Sequence, residues 1–224
     1  MAAVISVIAT ANGKETDGSP VVFSFNRTGE GAAEQVILRK LLPEWHLLLK
    51  KWAASGRLTA AALEALLLNG QPKALTELTN QWAAGEFSAL PPIVLLSSAE
   101  INGALGAYAV STGSIYLNAD WLLSANKEQV IAVLTEELGH HLDGVLNAVD
   151  TFGDEGEYFS KLLTNTGLTA GEVRALHQQN DAGTILVQGQ LLAAENAIDL
   201  TPTRPGGNDP EILTGTSGDD PVPL

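Results

Sequence analysis

The sequence predicts an α+β fold, and three observations carry that expectation. Short β-rich apolar runs, bounded by Gly, Asn and Pro, recur at 3 to 9, 21 to 26, 93 to 96, 107 to 111, 114 to 117 and 184 to 192. Between them stand segments with apolar residues at helical spacing, over 32 to 84, 127 to 147 and 169 to 179. Finally, apolar residues make up 45% of 224, enough to bury a core as one domain, or as one domain with a small partner.

Taken in order, the runs 3 to 9 and 21 to 26 flank a loop rich in Gly, Asn and Asp and read as a hairpin. In the helical stretch that follows, Leu38, Leu41, Leu42, Trp45, Leu48, Leu49 and Trp52 share one face, with Pro43 marking a break or kink. Thr59 is the expected cap of a helix ending at Asn69-Gly70, and Ala74 to Ala84 supplies another, stopped by Gly85. Pro91-Pro92 changes the character of the chain: a short buried strand, Ile93 to Leu96, precedes two strand segments around Thr112-Gly113. A helix from Lys127 to Asn147 then follows, with Asn126 as its N-cap. Its buried stripe is Val130, Leu134, Leu138, Leu142 and Val145, within about 120° of arc. Beyond it come an acidic loop opening into a helix at 150 to 163, a helix, a strand, and a Pro, Gly and Asp-rich tail read as a disordered linker.

Charge and composition exclude several partners. The net charge is −14, from 12 Lys and Arg against 26 Asp and Glu, so nucleic acid and anionic membrane surfaces are poor partners. No apolar run approaches the roughly 20 residues of a membrane span. Cysteine is absent, so any metal must be held by His and carboxylates. The apolar N-terminus lacks a basic leader region and reads as a first strand rather than a secretory signal.

The chemistry concentrates at Thr135-Glu-Glu-Leu-Gly-His-His-Leu-Asp143, where Glu136 to His140 is a His-Glu-x-x-His helix with Glu in place of the first His. At about 100° per residue, Glu136 and His140 are separated by roughly 40° and can share one ion. Glu137 lies about 60° to the other side of His140, able to reach a water on that ion without ligating it. A carboxylate is a legitimate zinc ligand, but it leaves the ion less electron-poor and makes manganese or calcium alternative occupants. His141 falls at the edge of the buried stripe as a packed, hydrogen-bonded histidine. Asp143 is an acceptor for His140, a surface residue or a ligand, and His46 and His177 are structural or surface residues.

With these elements placed, residues 88 to 163 resemble the zincin metalloprotease fold, in which 107 to 111 and 114 to 118 would form the edge strand that pairs with an extended peptide. More narrowly, Val133 to Asp143 followed by Gly153-Asp-Glu-Gly-Glu-Tyr-Phe159 is similar to the N-terminal domain of cyanobacterial proteins carrying calcium-binding RTX repeats. The tail Leu213-Thr-Gly-Thr-Ser-Gly-Asp-Asp220 is similar to the entry of such a repeat. By analogy with zincins that complete their site from a later helix, the resemblance implies Glu155 as third ligand, with Glu157 its rival.

That resemblance implies three parts: an N-terminal hairpin and helical region over 1–90, a zincin-like metal-binding region over 91–196, and a linker over 197–224 leading into calcium repeats. The implied function is a secreted metallopeptidase domain, monomeric and exported by the type I route. Glu136, His140 and Glu155 would bind a divalent ion, zinc before manganese or calcium, and Glu137 would act as general base on a peptide or protein substrate. The alternative is a pseudo-peptidase that keeps the fold as a metal- or partner-binding module.

Overall fold

The computed structural model describes residues 24–25, 32–164 and 167–197. The expected strand at 3 to 9, most of that at 21 to 26 and the tail beyond Ala197 lie outside the described residues. The fold is α+β: β1 (Ser24–Phe25), α1 (Ala32–Ala54), α2 (Arg57–Ala65), α3 (Lys73–Ala84), β2 (Ile93–Leu96), β3 (Gly106–Ala109), β4 (Ser114–Asn118), α4 (Ala119–Leu122), α5 (Lys127–Leu146), α6 (Glu155–Thr164), α7 (Ala170–Leu176), β5 (Ala182–Val187) and β6 (Gln190–Ala197). No helix among the described residues is long and apolar enough to cross a membrane.

Local chemistry fixes the helix ends, with departures from expectation at Pro43, at Thr59 and at the end of α2. Asn126 and Gln129 exchange side-chain and backbone hydrogen bonds in a capping box that fixes the start of α5. α1 runs on through Pro43 rather than breaking there. Thr59, expected as a cap, lies inside α2 instead, because Gly56 at φ 76° turns the chain out of α1 and caps the next helix directly. α2 accordingly ends at Ala65, short of Asn69-Gly70.

The sheet has the order β1-β2-β4-β3-β6-β5, parallel at β1–β2 and β2–β4 and antiparallel elsewhere. Two expectations change here. The single strand expected at 184 to 192 is a hairpin, β5 and β6, turning at Gln188 (φ 51°) and Gly189 (φ 79°). Two successive left-handed residues give the tight turn whose twist suits antiparallel strands. Nor is β3 or β4 an edge strand: β3 lies between β4 and β6, with Gly106, Ala107 and Tyr108 opposite Ala197, Asn196 and Glu195. The chain's own C-terminal hairpin covers the edge expected for a peptide.

Strand alternation divides the core between the two faces of the sheet. Ile93, Leu95, Tyr108, Ile115, Leu117 and Ala197 join a large cluster with α1, α2, α5 and α6, whereas Leu96, Ala107, Ala109, Tyr116, Ile185 and Ala194 pack with Ile101 and Ala104 on the other side. α5 contributes Val130, Leu134, Leu138 and Leu142 to the large cluster, all fully buried, while Val145 at the end of the expected stripe is half exposed. Trp45 of α1 donates from Nε1 to Thr135 Oγ1 at 3.1 Å, tying the N-terminal helices to α5.

Candidate metal centre

The face of α5 opposite the apolar stripe is buried as well. Glu136, Glu137, His140 and Asp143 are all inaccessible or nearly so, because α6 and the β3–β6 part of the sheet close over them. α5 and α6 approach closely through glycines: a Cβ on Gly139 would stand 2.8 Å from the Gly156 Cα. A Cβ on Gly156 would overlap His140 Nε2 and lie 2.5 and 2.6 Å from its Cε1 and Cδ2. Such similar distances put that position over the ring face, so the imidazole lies flat on the first turn of α6.

His140 is the centre of the site. Its Nδ1 is 2.8 Å from Glu155 Oε1, 3.3 Å from Glu195 Oε2 and 3.6 Å from Asp181 Oδ2. Three groups of His and carboxylate residues have ligand atoms within 4.8 Å of one another: Glu136, His140 and Asp154; His140, Glu155 and Glu195; Asp143, Asp150 and Glu155. The described residues therefore hold buried His, Glu and Asp side chains positioned for a metal ion. Donor chemistry agrees, since imidazole and carboxylate are both ordinary ligands of divalent ions.

The residues expected from the sequence gather unequally. His140 and Glu155 meet directly, and Glu136 meets His140, but Glu136 shares its group with Asp154 and not with Glu155. Glu157 is in none of the groups and pairs with Lys161 at 2.6 Å. Glu137 is fully buried beside β3, its Oε1 2.5 Å from where a Gly106 Cβ would sit, and glycine there leaves room for the carboxylate. Asp143 accepts from the Thr151 amide and hydroxyl and from Asn147 Nδ2, so it organises the loop after α5. His141 pairs through Nδ1 with the Tyr108 hydroxyl at 3.1 Å, and burial pulls its pKa down to about 4. His46 stacks on Phe87, and His177 meets Tyr158 edge to face.

Asp150, Asp154, Asp181 and Glu195 are the residues that the motif did not reveal. Asp154 accepts from the Glu157 amide at 2.7 Å and caps α6. Glu195 carries the readable signal, a single acidic residue in the strand Leu191-Leu-Ala-Ala-Glu-Asn-Ala197. Comparison with family models, curated proteins and solved structures gives no match to this chain, so the site rests on its own geometry.

Burial and the crowding of like charge shift the titrations. Burial raises Glu136, Glu137 and Glu155, and takes Asp154 to about 6 and Glu195 to about 8. Burial alone would lower His140, but the hydrogen bond it donates to Glu155 and the charges of Glu155, Glu137 and Glu195 outweigh it and raise it well above 6.5. Groups raised in the folded state bind their protons more tightly there, so their contribution is present at low pH and lost as pH rises. For Glu195 that window runs from an ordinary 4.5 up to about 8. Chelator-treated protein is therefore expected to melt at progressively higher temperature as pH is lowered from 8 toward 4.5. A melting temperature that is flat or falls over that range would contradict the burial of these carboxylates.

Proposed function

We propose that the chain is a zincin-like metallopeptidase domain that binds a divalent ion, zinc in first place, at His140, with Glu137 as general base. The observation that supports it best is the union at one buried site of an imidazole ringed by carboxylates with a separate buried glutamate one turn back on the same helix. A bound ion would supply Lewis acidity toward a peptide carbonyl and a water. Glu137 has no hydrogen-bond partner meeting full geometry on either oxygen among the described residues, with the Ala197 backbone and the His140 charge as its nearest favourable influences. Burial holds it well above the ordinary carboxylate range, which suits a group that takes a proton near neutral pH and returns it to a leaving amine.

A second reading, a metal-binding module that cleaves nothing, is favoured by one observation. β6 pairs along β3 beside Glu137, filling the strand position open to an extended peptide. Glu137→Gln separates the two. On the peptidase reading the parent cleaves an unfolded protein when supplied with zinc or manganese, and the variant loses about 100-fold or more of that rate with metal content unchanged. A parent that cuts nothing across a broad peptide library leaves the metal-binding module as the function.

A further inference from the structure

The Nδ1 side of His140 poses a problem of hydrogen bonding. One ring nitrogen carries at most one proton, yet three carboxylate oxygens converge on it, from Glu155, Glu195 and Asp181. Only the Glu155 contact satisfies hydrogen-bond geometry. Asp181 Oδ2 and Glu195 Oε2 are buried with no hydrogen-bond partner among the described residues, and the Asp181 side chain is only 8% exposed. Leaving such oxygens bare costs on the order of 1–3 kcal/mol each, more when they are charged. The described residues bring no Lys or Arg into an ion pair with any of the three.

We infer that the divalent ion is held on this side, by His140 Nδ1, Glu155 Oε1, Glu195 Oε2 and Asp181 Oδ2, so that the C-terminal hairpin supplies half of the ligands. This rests on the reading of the site as a metal centre but relocates the ion away from the Glu136 face that the motif suggests. Bonds of about 2.0 Å to a tetrahedral ion place its ligands about 3.3 Å apart. The three carboxylate oxygens stand 2.8, 3.3 and 3.6 Å from Nδ1, values that bracket that spacing; His140, Glu155 and Glu195 also have ligand atoms within 4.8 Å of one another, whereas Asp181 lies outside that group and would swing inward to complete the set. One nitrogen and three oxygens form a set that takes zinc or manganese.

On the opposite side, of the Glu136, Asp154 and His140 atoms only His140 Nε2 is buried with no hydrogen-bond partner among the described residues, against two bare carboxylate oxygens on this side. Asp154 is already engaged as the cap of α6. With Nδ1 committed to the ion, Nε2 keeps the proton of the neutral ring. The Glu136 and Asp154 carboxylates, whose group with His140 spans less than 4.8 Å, become outer carboxylates that orient the imidazole. Glu136 is then a positioning residue, which accounts for a carboxylate where the motif has a histidine. The ion also acts as a clamp: α5, α6, the residue before β5 and β6 would each contribute one ligand, locking β6 onto β3.

Titration of metal-free protein with Zn2+ and with Mn2+, followed by calorimetry, tests this on the full chain. Asp181→Asn and Glu195→Gln remove charge without changing shape and relieve repulsion in the metal-free cluster, so both variants are expected to fold. Each should weaken binding at least 100-fold, whereas Glu136→Gln should cost about 10- to 100-fold at most, as an outer carboxylate does. In the parent, metal should slow hydrogen exchange at the β6 amides. If Glu136→Gln or Asp154→Asn abolishes binding while Asp181→Asn and Glu195→Gln bind like the parent, the ion lies on the other side and the inference is wrong. A folded parent that binds neither metal removes this inference and the metal-centre reading together.

Discussion

Leu138→Asp is expected to unfold the protein. Leu138 is fully buried in the large cluster that joins α1, α2, α5, α6 and the inner face of the sheet. It lies between Leu134 and Leu142 on the one stripe of α5 that carries no polar group. An aspartate there would enter a region without a cation to meet it and already next to the turn that bears Glu136, Glu137 and His140. The cost, on the order of 5 kcal/mol or more, rivals the roughly 5–15 kcal/mol that stabilises a domain of this kind. Circular dichroism and thermal melting would read it directly. A variant melting at the parent temperature would mean that the stripe has been placed on the wrong face of α5.

Gly156→Ala is expected to disable the site while leaving the fold weakened but present. The new methyl would overlap the His140 ring, which cannot retreat: its Nδ1 is fixed on Glu155 at 2.8 Å and the residue is wholly buried. Either the imidazole rotates off its carboxylates or α6 moves away from α5, and Gly139 against the Gly156 Cα shows how little slack that contact has. Overpacking of this kind costs about 1–3 kcal/mol. Displacing the ring by even a few tenths of an ångström should cost metal affinity 10-fold or more. Parent-like melting together with parent-like zinc binding would show that His140 does not hold the site in the way its contacts indicate. Alanine at Gly171, whose Cβ would meet nothing closer than 3.8 Å, is the matched control.

How much of this was legible beforehand follows from the range of the interactions involved. Asn126, the Val130 to Leu142 stripe and Glu136-Glu137-x-x-His140 are relations within one helix, set by 3.6 residues per turn, and sequence alone determines them. So is the stop of α3 at Gly85. Glu155 reaches His140 across a tight α5–α6 corner at 2.8 Å; periodicity did not connect the two, and the resemblance implied Glu155 only as a third metal ligand, with Glu157 its rival.

The rest belongs to the sheet. Whether 184 to 192 is one strand or two depended on Gln188 accepting a left-handed conformation, for which a non-glycine residue gives only a weak signal. Once the hairpin forms, its register places Tyr108 opposite Glu195 and turns the Glu195 carboxylate inward, whereas a slip of one residue would send it to the other face. That single pairing removes the expected edge at β3, buries the polar side of α5 and brings Asp181 and Glu195 onto His140. Helix periodicity thus wrote the half of the site carried by α5 into the sequence. The half carried by β5 and β6 was decided by long-range strand pairing, because which carboxylates converge on a buried imidazole depends on register between segments that no local pattern connects.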